Sequence, residues 1–291
     1  MSFNFSKNDL TARLLNPSLD FTTAVALGLI PGIYPIDKFG ENSDIDIDDT
    51  PEDVTMLGGT YTFSDASDIG VLSSTSALDV GISIKLSGIE DPETSDGEKI
   101  GYASLNGQSK VFIYDNPELT GTPFTYWRVH TMQVLDETEP VGTVWCYVDG
   151  TITNGTPDDL ETLRASIDPG ENRTLLSIYT IPPKKVGLLL NFDIDVSRTT
   201  NSGTVQGALR IRPYEKVFQT KRKFNLQISG TSSRKTDRRV PLVVAGLSDI
   251  KITIEAVSAN NSEIVANFEL LVVNEEFLDD SFLSSIGQPG F

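Results

Sequence analysis

Val186-Gly187-Leu188-Leu189-Leu190-Asn191-Phe192-Asp193-Ile194-Asp195-Val196 is apolar at every second position from Leu188 to Val196. A repeat of two marks a strand with one face in a core, because successive side chains point to opposite faces. Downstream, Val217–Ser229 carries Phe224, Leu226 and Ile228 in the same rhythm, and Val205–Pro213, Val240–Val244, Ile250–Ala256 and Glu263–Val273 are further β runs. Upstream lie Thr60–Phe63, Gly81–Leu86, Ile100–Leu105, Lys110–Tyr114, Phe124–Val134, Gly142–Val148 and Leu175–Ile181. Asn106-Gly107, Asp149-Gly150 and Asn154-Gly155 punctuate them as turn dipeptides, the first as a hairpin between its flanking runs. Strands separated by polar turns and no sustained helical period predict an all-β chain of antiparallel sandwiches rather than βαβ units. Thr156–Ile167, polar and acidic, reads as a short helix or a loop.

The chain predicts two such blocks, residues 58–172 and 173–274, each a jelly-roll-like sandwich. They are preceded by an N-terminal arm (1–57) and followed by a tail (275–291). The arm has a helix signal over Ser6–Leu15, a second over Ser18–Leu29, and an extended Ile30-Pro31-Gly32-Ile33-Tyr34-Pro35-Ile36. No period in it is apolar enough to close a core, so it is expected to pack on this chain's body or on a neighbour.

The 291 residues carry 23 Lys and Arg against 41 Asp and Glu, a net charge of −18. Residues 1–180 hold −20 of this and the remainder +2. The band 210–239 has ten basic residues opposed only by Glu215 and Asp237. So acidic a chain disfavours nucleic acid and anionic membrane as partners. An acidic front and a basic band suit docking between copies or onto partner proteins; a solvated strand face is the plainer reading. One Cys and one His exclude a disulfide framework, Cys-based zinc sites and multi-His metal sites. No apolar run is long enough to span a membrane as a helix, and the start lacks the pattern of a secretion signal.

The motifs are modest. Asp44-Ile45-Asp46-Ile47-Asp48 begins like a calcium loop but has Asp49 and Thr55 where that loop needs Gly and Glu, so an acidic strand is expected. His130 lies in a β run where Tyr126, Arg128 and His130 share a side, and is read as a hydrogen-bonded surface or interface residue. Cys146 is expected to be buried. Tyr126, Trp127, Trp145 and Tyr147 would make a sugar-stacking platform only if alternation left them exposed. No nucleotide-, metal- or hydrolase-type motif is present, and no cofactor is expected.

Gly28-Leu29-Ile30-Pro31-Gly32-Ile33-Tyr34, Lys38-Phe39-Gly40-Glu41-Asn42-Ser43-Asp44-Ile45-Asp46, Thr50-Pro51-Glu52-Asp53-Val54 and Gly58-Gly59-Thr60-Tyr61-Thr62-Phe63 form one set. Together with Leu175–Gly187, Arg210-Ile211-Arg212-Pro213 and Phe268–Val273, this set resembles a family of tailed-phage virion structural proteins common in marine and cyanobacterial phages. Met56 or Leu57 stands where that family often has an aromatic, and Pro183 where its turn often has Ala. The resemblance implies a non-enzymatic particle component with a β-sandwich body, assembled in the host cytoplasm. The expected place is the outside of the particle, as head decoration or fibre-like appendage anchored by the arm; a host-glycan-binding module of a tail fibre and a neck or tail connector are the alternatives. Self-association, as a trimer for instance, is expected. Candidate partner contacts are Phe39, Asp44, Asp46 and Asp48 in the arm and Lys221, Arg222, Lys223, Arg238 and Arg239 in the basic band.

Overall fold

The computed structural model describes residues 21–47, 51–197, 203–228 and 231–279. A short helix, α1 (Phe21–Ala26), precedes β1 (Ile33–Ile45), β2 (Glu52–Asp53), β3 (Ile69–Ser74), β4 (Val80–Ile89), β5 (Lys99–Asn106), β6 (Val111–Phe112) and β7 (Arg128–Val134). Then follow β8 (Val144–Val148), β9 (Ile152–Thr153), β10 (Thr156–Pro157), β11 (Leu163–Ile167), β12 (Ile178–Thr180) and β13 (Lys185–Ser197). The chain continues through β14 (Gly203–Arg212), β15 (Gln219–Ile228), β16 (Ser232–Val244), β17 (Asp249–Val257) and β18 (Ser262–Asn274). The fold is all-β, as the alternation requires.

One sheet runs β1-β18-β13-β16, and the sheet facing it runs β12-β17-β14-β15 with β2 also on β17. Counting the eight long-path strands in chain order, these sheets read 1-8-3-6 and 2-7-4-5, which is the two-sheet jelly roll. Its core lies between them, with Phe192, Ile194, Ile264 and Phe268 from one sheet and Leu209, Ile211, Phe224 and Ile252 from the other. Phe192 sits directly opposite Phe268 in the β13–β18 register, and both are wholly buried.

The other sandwich sits between the first and second strands of this jelly roll as an insertion. Its sheets run β11-β8-β3-β6 and β5-β4-β7. Ile84, Leu86, Met132, Cys146, Ala165 and Ile167 fill its core. The chain enters and leaves it side by side: the Ser177 N–H donates to the Val54 carbonyl at 3.1 Å, and Thr55 bridges Leu176.

Most of the described part of the expected arm belongs to the jelly roll. Residues 33–45 are the first jelly-roll strand, paired with β18 from Ile33↔Val273 to Ile45↔Ser262, and Ile45 and Val54 belong to the core. The arm's lack of apolar period has a local cause. Tyr34 and Ile36 pack against the apolar core, but the next inward positions of β1, Lys38, Gly40 and Asn42, are buried against the insertion and the chain crossing instead. Gly40 fits there because a Cβ would fall 2.2 Å from the Ser177 nitrogen and 2.5 Å from the Val54 oxygen. The jelly roll is therefore discontinuous, built from both sides of the insertion, whereas the sequence suggested two consecutive blocks after an arm.

Smaller differences have equally local causes. Residues 160–167 form a 3₁₀ turn (Leu160–Thr162) and then β11, because Ala165 and Ile167 fill the insertion core. The Asn106-Gly107 turn forms, with Gly107 at φ +57°, but the runs it joins, β5 and β6, go to different sheets. α1 falls within the second predicted helix; the first, the Asp48 position and residues 280–291 lie outside the described residues. α1 lies over the outer surface of the first sheet, where Val25 and Ile30 meet Leu271 with Ile33, Leu188 and Leu190.

Candidate functional site

The outer face of β17 carries Asp249, Lys251, Thr253 and Glu255 at every second position, and the first three are buried against the insertion. Asp249 is the hub of this seam. Arg128, from β7 of the insertion, donates Nε to Asp249 Oδ1 at 3.0 Å and Nη1 to the Ser64 and Trp127 carbonyls. Arg212, at the end of β14, donates Nε to Asp249 Oδ2 at 2.8 Å, and the Thr180 hydroxyl donates to Oδ1. Two guanidiniums on one buried carboxylate make charge-assisted bonds, the strong kind.

Beside the hub, Lys251 Nζ reaches Asp53 Oδ2 at 2.6 Å, the Thr253 hydroxyl reaches Asp53 Oδ1 at 2.6 Å, and the Tyr61 N–H reaches Oδ2 at 2.9 Å. Cations and rings alternate above these pairs. The Arg128 guanidinium lies 3.8 Å from the Trp127 ring centre and 5.0 Å from that of Phe63. Arg212 lies between Phe63 (4.5 Å) and Phe218 (4.8 Å), and Lys251 Nζ is 4.7 Å from Phe218. Desolvated cation–π contacts of this kind reach about 2 kcal/mol each.

A second polar group closes the seam under β1. His130 Nδ1 contacts Glu98 Oε1 at 2.6 Å, the Tyr179 hydroxyl donates to the same oxygen at 2.9 Å, and the Thr180 N–H points at His130 Nε2 at 3.4 Å. The network assigns the proton to Nδ1 and leaves the ring neutral. Burial holds the His130 pKa below its ordinary value, against the pull of Glu98. Burial raises the Glu98 carboxyl, but His130, Tyr179 and Lys38 together outweigh it and leave it below the usual carboxylate range. Lys38 donates to the His130 carbonyl.

Burial pushes the Lys38 amine down to about 8, with Glu98 opposing. In the unfolded chain it titrates near 10.4, so between about pH 8 and 10 the unfolded state binds more protons and this group's contribution to stability rises with pH. Cys146 works the other way there: burial holds its thiol at about 12, while the unfolded thiol ionises near 8.5. The expected result is therefore a difference. From about pH 7.5 to 9.5 the urea-unfolding free energy of the wild type rises relative to that of Lys38→Met, with a slope of at most about 1.4 kcal/mol per pH unit. Parallel profiles for the two chains would remove Lys38 as a titrating seam group.

The residues that carry the family resemblance converge here. Lys38 ties β1 to His130, and Gly40 admits the chain crossing. Asn42 Nδ2 donates to Glu52 Oε2 at 2.8 Å, and the Gly59 N–H donates to the same oxygen at 2.9 Å. Asp53 takes Lys251, and Gly58 and Gly59 turn at φ +66° and +63°. A cleft of about 260 Å³ opens alongside, lined by Ser64, Asp65, Trp127, Arg212, Tyr214 and Lys216 among others. Among the described residues, no three His, Cys, Asp or Glu side chains cluster so as to hold a metal ion.

The predicted contacts are not brought together. Phe39 is half-buried on the outward side of β1, Asp44 is exposed, and Asp46 accepts the Asn261 N–H at 2.7 Å. Lys221, Arg222 and Lys223 are exposed on β15, an edge strand, and Lys223 pairs with Glu255 at 2.9 Å. Arg238 and Arg239 lie in β16, the edge of the other sheet. His130 is an interface residue facing the seam with Arg128, but Tyr126 points into the insertion core. Cys146 is buried. Tyr126, Trp127 and Tyr147 are buried, so the condition for a sugar-stacking platform is not met and these aromatics serve packing. The seam itself was missed: Arg128 and Asp249 are 121 residues apart and share no spacing signal. The alternation Asp249-Ile250-Lys251-Ile252-Thr253-Ile254-Glu255, polar on one face, was the available clue.

No family model matches the chain, and no curated protein matches it. Among solved structures, a chain of infectious bursal disease virus Gx strain aligns with 83% of this chain and 72% of its own length, at 10% identity and a TM-score of 0.24. A chain from the crystal structure of the T13 particle of the same virus aligns with 92% and 81%, at 8% identity and a TM-score of 0.19.

Proposed function

We propose that this chain is a non-enzymatic structural component of a tailed-phage virion, on the outside of the particle as head decoration or a fibre-like appendage. The observation that carries the reading is the convergence of the family-like residues on one clamp. Lys38, Gly40, Asn42, Glu52, Asp53, Gly58 and Gly59 are separated by up to 21 positions, yet all serve the junction of jelly roll and insertion. A likeness made of residues that build the architecture supports a shared architecture better than one made of surface residues. Jelly rolls recur in viral capsid proteins, a fold-level analogy that adds weight without assigning function. The buried groups of the seam are engaged with one another, which suits a rigid structural body better than a reaction centre. Anchoring by the arm narrows to the stretch before Ile33, since β1 is held in the jelly roll. Self-association belongs to the same reading.

The test is copy number per purified particle, by quantitative mass spectrometry against the major capsid protein. Hundreds of copies support lattice decoration; a few, in multiples set by particle symmetry, support an appendage at a vertex, neck or tail. Absence from particles overturns the reading.

A further inference from the structure

The two outer faces of the jelly roll carry opposite charge. On the β1-β18-β13-β16 sheet, the residues alternating with the core positions are outward. Asp37 and Glu41 of β1, Glu263 and Glu269 of β18, and Asp193 and Asp195 of β13 share that face. Register makes them one patch: Asp37 stands opposite Glu269, Glu41 and Asp195 flank Val265, and Phe39 and Asp193 flank Asn267. Like charges directly opposite, as Asp37 and Glu269 are, weaken the isolated sheet. The patch is crowded enough that burial, with Glu263, Glu171 and Asp168, holds the Glu41 carboxyl above its ordinary value. Half-buried Phe39 stands within it. Lys235 approaches at its far edge, 3.9 Å from Asp193.

The opposite sheet is basic where the insertion leaves it open. Arg210 and Lys223 share Glu255, at 2.7 and 2.9 Å, and exposed Lys221 extends the patch along the edge strand β15, whereas Arg222, opposite the core residue Leu209, lies on the other side of that strand. Both cations outnumber their acid, so the group keeps positive charge facing outward.

We infer that the acidic face of one copy docks on the basic face of the next, through Phe39, Asp195, Glu263 and Glu269 on one side and Arg210, Lys221 and Lys223 on the other. The occupant is a second copy because one chain carries both halves of the complement, on faces that point in opposite directions. Such an interface is heterologous, so it propagates into a stack or closes into a ring rather than stopping at a symmetric pair. On the acidic side, four strands about 4.8 Å apart and some nine residues long give a face of roughly 20 by 30 Å. The basic side is narrower, since the insertion covers β17, so the contact is at the small end of what a stable pair buries per partner. This deepens the self-association proposed above, and is independent of where in a particle the chain sits.

The overall charge of −18 sets the salt dependence. At low salt, whole-molecule repulsion opposes contact. Near 0.15 M the Debye length of about 8 Å screens that repulsion but leaves the contact pairs, and near 1 M they too are screened. Sedimentation velocity on the full chain tests this with two exposed-site variants that remove charge without reversing it, Lys221→Gln with Lys223→Gln, and Asp195→Asn with Glu263→Gln. Circular dichroism confirms the fold of each. The wild type is expected to gain mass with concentration, most strongly near about 0.15 M salt. Each variant alone is expected to remain a monomer. An equimolar mixture of the two is expected to form a dimer of one each and nothing longer, because each retains one working face. A monomeric wild type up to about 100 μM at every salt, assembly by either variant alone, or a mixture that stays monomeric would overturn the inference. A monomeric chain still found in particles would leave the virion reading standing.

Discussion

Asp249→Asn is expected to destabilise the protein by about 3–5 kcal/mol, since removing one partner of a buried ion pair strands the other. The substitution keeps the volume and removes the charge that Arg128, Arg212 and Thr180 all address. Arg128 cannot recover the loss in water, because its side chain is only 5% exposed. For a chain of this size the melting temperature should fall by roughly 10 °C. The form of the transition matters as much as its midpoint. Asp249 lies on the jelly roll and Arg128 on the insertion, so weakening the hub uncouples the two cores. Calorimetry should change from one cooperative transition towards two. A loss under about 1 kcal/mol with a single transition retained would mean that the rings and backbone crossings hold the seam, and that the hub does not.

Phe268→Ala should be of similar size by a different mechanism. Phe268 and Phe192 face each other across β18 and β13, at zero exposure, in the middle of the jelly-roll core. Truncation loses the transfer free energy of the ring and leaves a cavity that close-packed neighbours fill only in part, about 3–5 kcal/mol in all. Phe268→Leu retains much of the volume and should recover more than half of that in urea titrations. Equal losses for Ala and Leu would show that ring shape, and not filled volume, is what this layer of the core requires.

The β character was legible wherever one face of a strand is apolar, as in β13 and β18. It was hidden in β1, where Lys38, Gly40 and Asn42 face inward because they meet the insertion and the crossing chain. With that strand unseen, the discontinuity of the jelly roll could not be read, and residues 33–57 looked like an arm. The candidate site divides in the same way. The basic band was visible as composition, but its division between β15 and β16, edges of two different sheets, is a property of topology. The acidic outer face was visible only in pieces, since its carboxylates come from strands more than 220 positions apart and meet through register alone. Arg128 and His130 were noticed as polar residues in a β run. What they address, Asp249 and Glu98, is set by how the insertion settles on the second sheet.

The pairing of β1 with β18 also sets an order of events at the ribosome. Ile33 finds its partner Val273 only when 240 further residues have been made. At ordinary rates of synthesis that is roughly 12–50 s. The insertion, whose strands are near neighbours along the chain, can condense meanwhile; the jelly roll cannot close until its last strand emerges. Through that interval β1 is an unpaired edge, the kind of segment that recruits other chains. Asp37, Glu41 and Asp44 along it, with no long apolar run between them, keep the waiting strand in water.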